Sequence, residues 1–228
     1  MTFEMPQFAL AAPEIWLGVM ACVVLVADLF DRSEDSRIAF FLTQFTFVVA
    51  IWLAISTHWG DGVQHTFNGM YISDSLAGLL KASMAALAAL TVGYSRDYLL
   101  QRNLLKGEFF LLALIALLGM FVMASAASML ILYMGLELLS LSLYAMVAFD
   151  RDSRVGSEAA MKYFVLGALS SGMLLYGMSM IYGASGSLII TEIAAAASSG
   201  QNGLLLAFGM TFALVGVAFK FGAVPFHM

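Results

Sequence analysis

Charge is scarce in this chain of 228 residues: Lys, Arg, Asp and Glu together make up 11% of it, while 62% is hydrophobic. A soluble domain of this length needs far more polar surface to cover itself. Cysteine is nearly absent. Cys22 stands alone in the first apolar run, which excludes an internal disulfide or a cysteine metal centre and reads as a buried, inert thiol. Ten basic residues without arginine clusters exclude a nucleic-acid surface. No Gly-rich phosphate loop opens a helix, and GxSxG and HExxH are both missing, so nucleophilic and zinc-peptidase chemistry have no support. The N-terminal MTFEMPQF has an acid but no Lys or Arg, hence no basic region of a secretory signal, and the first helix is expected to be retained.

Long apolar runs are abundant instead, each of the length that crosses a hydrocarbon core. Seven spans are expected, approximately at 12–30, 38–57, 74–93, 109–124, 127–149, 159–182 and 203–226. The fold class is therefore all-α, a polytopic membrane protein, its seventh helix broken near Pro225. An Ala-rich stretch at 194–197 in the sixth loop suggests a short helical turn.

The loop cations alternate cleanly. Arg32 and Arg37 fall in the first loop, Arg96, Arg102 and Lys106 in the third, Arg151 and Arg154 in the fifth, and none in the N-terminus or the even-numbered loops. The positive-inside rule assigns that side to the cytoplasm and puts the N-terminus outside. Small residues (Gly167, Ser170, Ser171, Gly172, Gly216, Gly222) concentrate on the last two spans, where they allow helix backbones to approach.

Four ionisable residues lie inside the spans: Lys81, Glu137, Lys162 and Lys220. Such a group costs roughly 2.5–3.5 kcal/mol on insertion scales and usually persists because it handles charge. Glu137 sits about 15 Å into its span at 1.5 Å per residue, near the bilayer centre, where it stays neutral or faces a cation. Lys162 is close to the cytoplasmic end of its span, so snorkelling competes with a pairing to Glu137. Lys220 precedes Gly222 and Pro225; the helix break suggests ion handling, with snorkelling at a helix end as the other reading. Lys81 lies two turns beyond Asp74 on one face and is open between a structural ion pair and a functional role, whereas Glu14, Asp28 and Asp74 read as interfacial. His58, His65 and Asp61 make only a weak metal signal, and His227 follows the break, where it extends a proton path or ends a helix.

The run LYMGLELLSLSLYAMVAF at 132–149 resembles the fifth helix of the antiporter-like subunits of proton-pumping NADH:quinone oxidoreductase (complex I). SEAAMKYFVLGALSSGMLLYGMSMIYG at 157–183 and GVAFKFGAVPFH at 216–227 extend the likeness, which is closest to the N-type branch. The resemblance implies three N-terminal helices over 1–104, then the first of two inverted five-helix repeats over 105–228. It implies proton-translocating roles for Glu137, Lys162 and Lys220 and a weaker one for His227; nothing carries over to Lys81. It further implies a bacterial plasma (inner) membrane location with a periplasmic N-terminus, other complex I membrane subunits and lipid as partners, and no cofactor in this chain. FMN, iron–sulfur clusters and quinone are expected in other subunits.

The family's chains are about twice as long, and a W-x-P-D-x-Y-type segment is expected after VPFHM, so the chain reads as truncated before the eighth helix and lacks the second repeat. Three alternatives stand beside this reading. One is a subunit of a related multi-subunit cation/proton antiporter or membrane-bound hydrogenase. Another is a seven-helix retinal protein, which Trp16, Trp52 and Trp59, clustered by the first two spans, fit poorly. The last is a structural or assembly element with vestigial charges.

Overall fold

A computed structural model describes residues 6–31, 36–58, 62–102, 104–200 and 202–224. Pro225 and His227, on which the sequence placed the helix break and the end of a proton path, lie outside the described residues, as does Asp61. After a 3₁₀ turn at Phe8–Ala11 come α1 (Ala12–Phe30), α2 (Arg37–His58), strands β1 (Gln64–Thr66) and β2 (Tyr71–Ser73), α3 (Ser75–Gln101), α4 (Gly107–Ala124), α5 (Met129–Val147), α6 (Arg154–Ser185), α7 (Ile190–Ser198) and α8 (Gly203–Lys220). Seven of these helices are long and apolar enough to cross a membrane; α7 is not among them.

Local chemistry sets the helix starts. Asp74 caps α3 by accepting from the Ala77 amide at 2.7 Å, and Ser153 caps α6 by accepting from Gly156 at 3.1 Å. Pro13 stands in the first turn of α1, where its missing amide is no loss.

The expected spans correspond to real helices, with three corrections, the first being that α6 starts at Arg154 and ends at Ser185 rather than running over 159–182. α3 runs to Gln101 rather than 93; its last turns carry Arg96 and Asp97, so the extra length continues past the apolar layer. α8 ends at Lys220, well before 226, and Gly222 follows with φ +61°, a left-handed turn that glycine adopts without strain. The short turn expected at 194–197 belongs to the nine-residue α7. Cys22, expected to be buried, is exposed on α1.

Leu17, Val24, Phe47, Phe110, Leu117 and Phe121 anchor one apolar core shared by α1, α2, α3 and α4. α4 in turn packs on α5 through glycine. A methyl on Gly135 would stand 2.8 Å from the Gly119 carbonyl oxygen and 2.9 Å from the Met123 amide nitrogen. α6 and α8 meet in the same way, where a methyl on Gly177 would lie 2.5 Å from the Ala213 amide. Gly135→Ala is therefore expected to destabilise the chain by about 1–3 kcal/mol through overpacking. Gly172→Ala, with open space around its site, should be neutral or stabilising. Thermal unfolding of the detergent-solubilised protein separates the two.

The polar stretch before α3 holds a β-hairpin that periodicity did not show. β1 and β2 pair antiparallel, Thr66 opposite Tyr71 and Gln64 opposite Ser73. The hairpin joins the ends of several helices. The Gln7 amide donates to Thr66 Oγ1 at 2.9 Å, the Ile72 amide to the Ser125 carbonyl at 2.9 Å, and the Ala127 amide to the Met70 carbonyl at 3.0 Å. From there the α4–α5 turn continues to the α6–α7 loop through Ile190 N–H to the Ala127 carbonyl at 3.1 Å and Met129 N–H to the Leu188 carbonyl at 2.9 Å. A backbone-bonded cap thus closes one end of the bundle. At the other end Arg96 covers the Phe40 ring at 4.8 Å and Arg151 pairs with Glu108 at 3.1 Å.

Candidate functional site: a half-buried lysine–glutamate cluster

Along α5, Glu137, Ser140 and Tyr144 recur at a spacing of three and four residues and so share one face of the helix. α8 delivers Lys220 to that face. The ammonium donates to Ser140 Oγ at 2.9 Å, to the Tyr144 hydroxyl at 3.1 Å and to Glu137 Oε1 at 3.4 Å. Ser140 gives its own proton to the Leu136 carbonyl at 2.8 Å, which turns its lone pairs toward the lysine. From α6, Ser171 Oγ donates to Glu137 Oε1 at 2.5 Å. The Lys220 and Glu137 side chains are 11% and 22% exposed, so the pair is mostly desolvated but not sealed.

Two further residues fix the geometry. A methyl on Gly167 of α6 would fall 2.0 Å from the Tyr144 hydroxyl, so glycine there is room for the phenol rather than for a backbone. Ser170 donates to the Gly216 carbonyl at 2.9 Å and holds α6 against α8. The α5–α6 seam is otherwise loosely filled. Grooves of about 570 Å³ open toward its two ends, one by Tyr144 and Phe164, the other by Leu130 and Tyr176.

Lys162 is not part of this cluster. It pairs with Glu158 one turn back on α6 at 2.8 Å, with both side chains well exposed. The structure thus brings Glu137 and Lys220 together and leaves Lys162 apart from them, in a local pair.

A second ion pair lies near the capped end. Lys81 Nζ of α3 stands 2.5 Å from Glu14 Oε1 of α1, and the lysine is completely buried. It also donates to the Tyr71 hydroxyl at 2.9 Å and lies 5.1 Å above that ring. Burial, and after it the Glu14 carboxylate, push the Tyr71 phenol above the ordinary tyrosine range, so it remains a hydroxyl. Glu14, read from the sequence only as interfacial, is thus buried against Lys81 inside the bundle, and Asp74 serves as a helix cap. Sequence reasoning missed Ser140, Tyr144 and Ser171 around the first pair. The spacing of the first two from Glu137 was a usable signal; Ser171 had none.

Comparison with known proteins follows these elements closely. A family model described as NADH:quinone oxidoreductase/Mrp antiporter, TM, matches residues 126–228. NADH-quinone oxidoreductase subunit N of Alkalilimnicola ehrlichii is 60% identical over 226 residues, covering 99% of this chain and 46% of that one. Its counterpart in Halorhodospira halophila is 57% identical over 227 residues, 100% of this chain and 47% of that one. Among solved structures, respiratory complex I from Thermus thermophilus with bound aureothin superposes with a TM-score of 0.76 at 31% identity, covering 94% of this chain and 45% of the matched chain. The chain spans about half the length of the curated relatives it matches.

Proposed function

Since the chain is a relative of NADH-quinone oxidoreductase subunit N, we propose that it serves as a proton-translocating membrane subunit of NADH:quinone oxidoreductase. The observation that carries this reading is the Glu137–Lys220 pair, held at 3.4 Å between α5 and α8 beside the loosely filled α5–α6 seam. NADH oxidation and quinone reduction take place on FMN, iron–sulfur clusters and quinone held by other subunits, and this chain holds none of them.

In the closed pair Lys220 is charged, with Glu137, Ser140 and Tyr144 as acceptors. A proton arriving at Glu137 neutralises the carboxylate and leaves the ammonium with two neutral oxygens. The lysine then releases its proton onward, and Glu137 returns its own to reset the pair. Distance has the same leverage as protonation. At an effective dielectric of about 20, charges 3.4 Å apart attract by about 5 kcal/mol, and doubling the separation removes about half of that. Moving α8 away from α5 therefore weakens the hold of the pair on its proton.

Lys162 joins the path from its exposed pair with Glu158, and His227, seven residues after Lys220 in the chain, extends it, both on the strength of the family motifs. Residues 105–228 form part of the first antiporter-like repeat and 1–104 its preceding helices, although the apolar core runs across that boundary. The chain lies in the bacterial plasma (inner) membrane beside other complex I membrane subunits. Its N-terminus is periplasmic; the clustering of the described loop cations at the uncapped end supports that orientation.

The test is made in proteoliposomes holding the assembled complex, with Glu137→Gln and Lys220→Met. Each is expected to lower proton pumping and coupled quinone reduction without loss of assembly on native gels. Normal pumping by an assembled variant removes that residue from the path.

A further inference from the structure

Two lysine–glutamate pairs in this chain are built from the same parts. Lys220 meets Glu137 and the Tyr144 hydroxyl; Lys81 meets Glu14 and the Tyr71 hydroxyl, with the ring 5.5 Å and 5.1 Å from the respective ammonium. The second set belongs to other helices and lies toward the capped end. Nothing in the mechanism above uses it. A buried ion pair is weak evidence for stability, because desolvation offsets most of its attraction.

The hydrogen-bond arithmetic at Tyr71 points further. Its hydroxyl carries one proton and accepts from Lys81, yet three acceptor atoms lie within reach of that proton: the Leu10 carbonyl at 3.0 Å and both Glu14 carboxylate oxygens at 3.1 Å. A structural hydroxyl needs one acceptor. This one has an alternative for each protonation state of Glu14: it donates to the carboxylate when Glu14 is charged, and to Leu10 when Glu14 is neutral. Around it stand Asp74 at the start of α3 and the Phe121 ring of α4, 5.9 Å from Lys81. On the solvent side lies a polar pocket of about 200 Å³, lined by Gln7, His65, Thr66 and Asn68 among others. Thr66 borders that pocket, is paired opposite Tyr71 in the hairpin and accepts from the Gln7 amide.

We propose that Glu14, Lys81 and Tyr71 form a second proton-holding ion pair, which exchanges a proton with the hairpin pocket at the capped end of the bundle. In the empty state Glu14 is a carboxylate, Lys81 an ammonium, and the cluster is neutral. A proton entering from the pocket binds a Glu14 oxygen, Tyr71 turns to the Leu10 carbonyl, and the cluster carries one positive charge until the proton leaves by the same oxygen. No bond other than O–H forms or breaks. The inference rests on the proton-translocating reading of the chain.

The experiment uses membranes holding the assembled complex with its complete subunit. Wild-type complex is treated with a hydrophobic carbodiimide, which reacts with protonated carboxyls, and Glu14 is followed by peptide mass spectrometry across pH. The neutral double variant Glu14→Gln/Lys81→Met is measured for proton pumping relative to quinone reduction, beside Glu137→Gln. Expected are a Glu14 adduct that grows as pH falls and a loss of pumping in the assembled double variant. Absence of the adduct at every pH overturns the proposal whatever the variant does, and so does wild-type pumping by the double variant. If the double variant fails to assemble, the labelling alone decides. Normal pumping by Glu137→Gln sinks the proton reading itself; loss there with normal pumping in the double variant sinks only the second site.

Discussion

Lys81→Met is expected to destabilise the folded chain by about 3–5 kcal/mol, the usual result of removing one member of a buried ion pair. Methionine fills much of the same space, so the loss is one of charge. Glu14, which is 9% exposed, would keep its carboxylate facing the Tyr71 hydroxyl with no cation at 2.5 Å. The destabilisation should appear as a lower unfolding temperature of the solubilised protein and less subunit in the membrane. Removing both charges, as Glu14→Gln/Lys81→Met, should recover most of it, because two neutral side chains leave nothing uncompensated. Purely additive single losses in that double-mutant cycle would mean that the two residues do not act as a pair.

Gly167→Ala should have the second-largest effect, and on function before stability. The added methyl falls 2.0 Å from the Tyr144 hydroxyl, which has to leave its notch. Lys220 then keeps Ser140 and Glu137 but loses the 3.1 Å contact. A hydrogen bond to a charged group contributes about 1.5–3 kcal/mol, roughly a tenfold to hundredfold change in how firmly the ammonium stays at Glu137. Proton pumping by the assembled complex is the readout. Tyr144→Phe, which removes the hydroxyl and keeps the ring, should reproduce the loss. Wild-type pumping by both variants would show that the phenol is not part of the site.

The helices were legible because a membrane span is a one-dimensional signal: enough consecutive apolar residues, whatever their neighbours. Glu137 and Lys220 were legible for the opposite reason, as costly exceptions inside such runs. Their pairing was not derivable, since 83 residues separate them and no periodicity links α5 to α8. Glu14 shows the limit most clearly. Its place early in α1 allowed it to face headgroups or protein, and only the approach of α3 decides that it meets Lys81. Lys162 shows the converse: the pairing with Glu137 that its place in the span allowed is not made, because Glu158, four residues earlier, is a nearer partner. The hairpin escaped because three-residue strands leave too few positions to alternate.

That hairpin has a consequence for biosynthesis. Ile72 and Met70 bond to Ser125 and Ala127, which leave the ribosome more than fifty residues later, and Ala127 in turn waits for Ile190. At roughly 5–20 residues per second, the outer edge of β2 stands without its partner for several seconds after it has been made. An unpaired strand edge is a template for wrong pairing, and its shortness limits the hazard. The order of synthesis therefore makes the cap a late event. The first three helices are threaded and waiting before the turn that closes over them exists, and a chain arrested between α3 and α4 would present that edge to whatever insertion machinery surrounds it.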